Sequence, residues 1–177
     1  MVLEIARMGH PVLQRRADEV RVEDILSPSI QKLISDMIET CHALNGAGLA
    51  APQVFQPLRI VIFHIPEERA IARGLQKEIP LTVLINPVIE PLTDETELGW
   101  EACFSLPGLM GLVPRYRAIR YHAYNAQGHQ VEVEVEGYHA RVVQHECDHL
   151  DGILYPVRMS DMNQFGFIEE VREALSS

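Results

Sequence analysis

The segment Gln144-His145-Glu146-Cys147-Asp148-His149 constrains this chain more than any other. It contains His-Glu-x-x-His, two imidazoles four residues apart with a carboxylate beside the first. On a helix of about 3.6 residues per turn, positions i and i+4 share one face. His145 and His149 can therefore grip one metal ion, while Glu146 projects to the side toward a water in a remaining position. The flanking Ala140, Val142, Val143, Cys147 and Leu150 predict a mostly buried helix over 138–150, closed by Gly152. Burying two histidines and a glutamate without partners is costly, so a polar helix end with scattered histidines fits this setting poorly.

A chain of 177 residues is expected to form one domain, 1–177, with a sizeable core. Its hydrophobic content of 47% and charged content of 23% are those of a soluble globular protein. No apolar run approaches the roughly 18–20 residues that cross a bilayer, and the N-terminus lacks a cationic region followed by an apolar one. The expectation is a cytoplasmic protein without a membrane partner. A formal charge of −10 disfavours nonspecific adhesion to nucleic acid or anionic membrane. Three cysteines do not make a disulfide framework. Cys41 and Cys147 read as small buried hydrophobes; Cys103 is different.

Ser27-Pro28 resembles an N-cap followed by proline at the first helical position. After it, Ile30, Leu33, Ile34, Met37, Ile38, Cys41 and Leu44 recur at helical spacing until Asn45-Gly46. Leu58 to Ile65 reads as a buried strand, and residues 66–80 as an irregular surface excursion. Leu81–Asn86 and Val88–Leu92 are two short strand candidates broken by Pro87. Arg115–Asn125 and Val131–Val135 read as the arms of a hairpin with one solvated face. A last helix is expected from about Ser160 or Asp161, with Phe165, Ile168, Val171 and Leu175 toward the core. This order suggests an α+β domain: small mixed or antiparallel sheets around a buried central helix carrying the His-Glu-x-x-His motif, then a short C-terminal helix.

Two histidines leave a hydrolytic metal one protein ligand short. A metzincin pattern would place its third histidine at Tyr155 and fails there. A thermolysin-like endopeptidase would use Glu169 or Glu170. The third option is Cys103, in Gly99-Trp100-Glu101-Ala102-Cys103-Phe104-Ser105, which reads as a shaped loop. A thiolate with two imidazoles suits zinc or ferrous iron and leaves one position open.

Three segments then resemble the signatures of the peptide deformylases, in order and separation, across essentially the whole chain. They are Gly46-Ala47-Gly48-Leu49-Ala50-Ala51-Pro52-Gln53, Glu101-Ala102-Cys103-Phe104-Ser105 and Gln144-His145-Glu146-Cys147-Asp148-His149-Leu150. The resemblance implies a hydrolase that removes the formyl group from N-terminal formylmethionine and releases formate. It implies one divalent metal on Cys103, His145 and His149, with ferrous iron physiological and zinc, nickel or cobalt compatible. Glu146 is the implied general base, with the Gln53 amide and the Phe104 backbone N–H stabilising the oxyanion. Gly46, Ala47, Gly48 and Ala102 are expected to border the peptide groove, and Val142 the methionine pocket. The implied partners are nascent formylmethionyl polypeptides in a bacterial cytoplasm, with encounter at the ribosome allowed.

The chain departs from the family pattern at Ala102 and Phe104, where glycine and leucine are usual, and at Met110, where many members carry arginine. It ends short and acidic, whereas some members have a basic ribosome-docking extension. Ala102 and Phe104 motivate an alternative, a relative with altered substrate or weak activity; physical reasoning favours an active enzyme with a reshaped groove, because no donor is lost. Finally, Glu101, Asp148 and Arg115 flank the motifs and are expected to form a carboxylate–guanidinium brace, since metal ligands need orienting partners.

Overall fold

In a computed structural model, residues 1–176 are described. Helix α1 spans Pro28–Ala43 and starts as its sequence predicts. The Ser27 hydroxyl accepts the N–H of Ile30 at 3.4 Å. Pro28 occupies a position whose missing N–H would have had no helical partner anyway. The chain leaves the helix through Asn45 at φ +52°, and the Gly46 N–H closes onto the Cys41 carbonyl at 2.9 Å. Ile30, Ile34, Met37 and Cys41 are buried.

Five strands make the main sheet: β1 (Gly48–Ala50), β2 (Ile60–Ile65), β3 (Ile79–Pro91), β6 (Ala118–Tyr124) and β7 (Gln130–Glu136), in the order β1-β2-β3-β6-β7. Every neighbouring pair is antiparallel. Strand β2 shows why its sequence is a continuous apolar run. Its side chains alternate between two faces, and both faces are covered. Ile60 and Ile62 join the cluster of α1, whereas Val61, Phe63 and Ile65 join Ala140, Val143 and Cys147 of the metal-motif helix α3 (Gly137–Leu150). The main sheet therefore lies between α1 and α3.

Several boundaries differ from expectation. Residues 66–80 contain a short helix, α2 (Glu67–Ala72). Pro87 does not divide two strands; β3 runs through it with a register shift between Ile85 and Val88. The Asn86 side chain at the shift exchanges hydrogen bonds with the Val20 backbone at 2.9 and 2.8 Å, so the irregularity is paired rather than frayed. Arg115–Asn125 is not one strand either. β5 (Leu106–Tyr116) pairs with β4 (Thr96–Cys103) and β8 (Phe165–Phe167) in a second, three-stranded sheet; the chain changes sheets at Arg117 before β6. The β6–β7 hairpin itself forms as expected, from Ala118↔Glu136 to Tyr124↔Gln130.

The C-terminal helix, α4 (Ile168–Ser176), starts later than expected because Phe165 is recruited into β8, opposite Gly111 of β5. No α4 residue is fully buried and Leu175 is exposed, so the expected core stripe is a half-buried seam at most. No described helix is long and apolar enough to cross a membrane. The architecture is the expected α+β arrangement, with antiparallel sheets around α3.

Candidate metal centre

Helix α3 places His145 and His149 one turn apart, with ring centroids 5.1 Å from each other. Cys103 comes from the second sheet. It is not in a free loop: it ends β4, where a register shift from Ala102 to Cys103 leads into the tight turn at Phe104-Ser105. Its Sγ lies 3.4 Å from His149 Nε2. One ligand atom from each of Cys103, His145 and His149 falls within 4.8 Å of the others. A thiolate and two imidazoles converging in this way fit a zinc- or iron-type ion with a position left for reactants. Glu169 and Glu170 are exposed on α4, outside this group. Tyr155, at the failed metzincin position, instead stacks on the His145 ring at 6.1 Å.

His145 is oriented from behind. His145 Nδ1–H donates to Glu101 Oε2 at 2.7 Å, which leaves Nε2 for an ion and raises the basicity of the ring. Glu101 is only 6% exposed and is the centre of the expected brace. Arg115 donates Nε and Nη2 to its two oxygens, each at 2.9 Å, and Nη1 to Asp148. Sequence reasoning missed two further arginines. Arg141 donates to Glu101 at 2.9 Å and to the carbonyls of Val113 and Glu97 at 2.8 and 2.7 Å. Arg158 donates to Asp148 at 2.8 Å. Arg141 left a signal: an arginine inside the apolar run 140–143 needs a buried partner. Burial disfavours charge on Glu101, but the hydrogen bonds from Arg115 and His145 outweigh it and hold the carboxyl below the usual carboxylate range.

Glu146 has the opposite surroundings. It is buried, its Oε2 has no hydrogen-bond partner, and burial pushes its pKa up to about 7 against the opposing pull of His145. Its other oxygen sits over β1: a Cβ on Gly48 would lie 2.5 Å from Glu146 Oε1. A Cβ on Gly46 would lie 2.6 Å from the Phe104 ring. The glycines of the first motif thus make room for the Glu146 carboxylate and the Phe104 ring. Gln53 is pinned from three sides. Its Oε1 accepts the Ala50 N–H at 2.9 Å, and its Nε2 lies 3.2 Å from Cys103 Sγ and 3.3 Å from Ser105 Oγ. Ser105, fully buried, is a positioning group that the sequence did not single out.

These groups face a cavity of about 560 Å³. Gly46, Ala47, Gly48, Gln53, Ala102, Cys103, Phe104, Val142, His145 and Glu146 all line it, so every groove and pocket residue expected from sequence borders the same cavity. His149 sits behind them, 1% exposed. Trp100, Tyr138, Arg73 and Arg141 also line the cavity and were not foreseen as site residues. β1 is an outer strand of its sheet; Gln53 takes the Ala50 N–H, and the edge at Gly48, which lines the cavity, has no neighbouring strand.

Comparison with known proteins agrees with this geometry. The family model described as polypeptide deformylase matches residues 2–165. Peptide deformylase 1 of Bordetella pertussis is 52% identical over 96% of this chain and 94% of that protein. Peptide deformylase 1 of Nitrosomonas europaea is 47% identical over the same shares. The Met-Ala-Ser-bound class I type b peptide deformylase of Acinetobacter baumannii superposes with a TM-score of 0.83 at 35% identity, covering 90% of this chain and 99% of that one. The enzyme of Ehrlichia chaffeensis, at 31% identity and a TM-score of 0.81, covers 99% and 98%. With the family model spanning most of the chain and relatives near half identity, this chain belongs to the polypeptide deformylase family.

Proposed function

We infer that the chain hydrolyses the N-terminal formyl amide of formylmethionyl polypeptides, giving formate and a free amine. The observation that carries this reading is one arrangement: a three-ligand metal group, an unpartnered buried carboxylate beside it, and an open strand edge along the same cavity. Cys103, His145 and His149 would hold the ion. When bound, a divalent ion supplies Lewis acidity and lowers the pKa of a ligated water from about 15.7 toward about 7. Ferrous iron is the ion we assign, on the family resemblance; zinc, nickel and cobalt suit the same donors.

The chain's own residues do the remaining work. Glu146 takes the proton of the attacking water on Oε2, its unpartnered oxygen. As the oxygen bonds to the formyl carbon, the C–N bond breaks, and Glu146 returns the proton to the leaving nitrogen. Ser105 holds one N–H of Gln53, and the N–H now aimed at Cys103 Sγ is the one a developing oxyanion can capture. With the backbone N–H of Phe104 it forms the oxyanion site; removing one such donor costs about 2.7–4 kcal/mol. The substrate backbone adds to the edge beside Gly46–Gly48 and so is read without regard to sequence. Val142 and Tyr138 supply apolar wall for the methionine side chain. Residues 1–177 act as one catalytic domain, in the cytoplasm of a bacterium, on chains emerging from the ribosome.

The test is formate release under anaerobic conditions from formyl-Met-Ala-Ser, with acetyl-Met-Ala-Ser as comparison and metal content measured alongside. Formate from the first and no acetate from the second is the expected result. A metal-replete protein that releases neither would overturn the assignment.

A further inference from the structure

The cavity wall carries two arginines, and they differ in one respect. Arg141 is committed to Glu101 and to the carbonyls of Glu97 and Val113. Arg73 is exposed, its guanidinium carbon stands 5.0 Å over the Tyr138 ring, and among the described residues no carboxylate lies within ion-pair distance of it. In a chain with 25 acidic side chains against 15 basic ones, where most surface arginines are paired, an unpaired guanidinium on the wall of the reaction cavity is conspicuous.

Its position is fixed from both sides. Arg69, one turn earlier, donates Nη2 to the backbone and side-chain oxygens of Asn45 at 3.0 and 2.9 Å. That tethers α2 to the residue preceding Gly46. The Tyr138 face holds the guanidinium carbon 5.0 Å from its ring centre and leaves N–H groups free to meet a carboxylate. The strip from Gly48, against Glu146, back to Asn45 covers three residues, about 10 Å of extended chain. A peptide with its formyl carbon at Glu146, running along that strip, carries its second or third residue past α2.

We propose that Arg73, steadied by Tyr138 and α2, is a specificity subsite for an acidic side chain one or two residues after the formylated methionine. The inference rests on the deformylase reading and adds a preference to it: the edge of β1 reads main chain, whereas Arg73 reads charge.

The experiment compares formyl-Met-Ala-Asp-amide with formyl-Met-Ala-Asn-amide, and formyl-Met-Asp-Ala-amide with formyl-Met-Asn-Ala-amide, in the metal-replete full chain. The amide removes the terminal carboxylate, and the readout is the Asp-to-Asn ratio of kcat/KM. For at least one position the wild-type ratio should exceed one by roughly two- to fivefold at low salt, the range of exposed ion pairs, and shrink at about 1 M salt, where charges are screened beyond about 3 Å. Arg73→Lys should keep most of the preference, Arg73→Ala should bring the ratio to about one, and Arg73→Glu should invert it. Asn peptides that turn over normally, with a ratio of one in the wild type or the same ratio in Arg73→Glu, would overturn the subsite and leave the deformylase reading standing. Absence of formate from every peptide would overturn both.

Discussion

Replacing Gly48 by alanine tests the proposed role of Glu146 as base without touching a proposed metal ligand. The added Cβ would meet Glu146 Oε1 at 2.5 Å, Cδ at 2.8 Å and Cγ at 2.9 Å. Ordinary contact begins near 3.4 Å, so the carboxylate must move by about 0.9 Å. It cannot simply swing aside, because the side chain is enclosed and the clash extends back along it to Cγ. A misplacement of about 1 Å at a reacting group costs on the order of a hundredfold in rate, or about 2.7 kcal/mol of barrier. Overpacking of this kind also lowers stability by about 1–3 kcal/mol. The prediction is therefore a Gly48→Ala protein that folds, keeps one metal per chain, melts a few degrees lower and loses about two orders of magnitude in kcat. Steady-state formate release, elemental analysis and a thermal melt on the same preparation measure all three. Wild-type kcat would mean that Glu146 need not occupy the space over Gly48 and would overturn this placement. Loss of metal would refute it differently, by showing that Gly48 supports the ligands rather than the base.

Cys103→Ala should abolish stoichiometric metal binding, while Glu169→Gln with Glu170→Gln should leave it intact, as measured by elemental analysis. Glu101→Gln removes the negative charge shared by Arg115 and Arg141 and leaves one acceptor oxygen where Arg115, Arg141 and His145 now share two. It should weaken metal affinity about 10- to 100-fold, by competition with a chelator, and cost about 3–5 kcal/mol in denaturant unfolding. His139 packs edge-on against Phe63, and burial lowers its pKa to about 4. Its folded pKa lies below its unfolded one, so the unfolded chain binds the extra proton and stability is lost as pH falls from about 6.5 to about 4. His139→Phe should flatten that part of the stability–pH curve; an unchanged slope would count against it.

The parts of the site that the sequence displays are those fixed by local geometry. His145 and His149 share a helix face by spacing alone, and the apolar residues around them announce burial. Cys103 is less transparent. Its Sγ reaches His149 only because a register shift ends β4 one residue before the turn, a consequence of pairing with β5. Glu101, Asp148 and Arg115 could be grouped because all three flank motif segments, whereas Arg141 and Arg158 join the same cluster through packing between the second sheet and α3. The errors elsewhere have one physical origin. Alternation persists from Arg115 to Asn125, so a transfer between sheets at Arg117 leaves no mark in the pattern. Phe165, Ile168, Val171 and Leu175 have helical spacing, yet a free edge on β5 captures Phe165 as a strand. Long-range pairing overrides local preference in both places.

The role proposed for Glu146 is chemistry beside a metal that it does not hold. Glu146→Gln keeps the size of the side chain and removes its ability to carry the proton. Measured together, metal per chain and formate release from formyl-Met-Ala-Ser decide the matter. The expected result is one metal per chain, a wild-type melting profile and turnover reduced by at least about a hundredfold. A Glu146→Gln protein that arrives without metal, or one that keeps metal and near-native turnover, would contradict it.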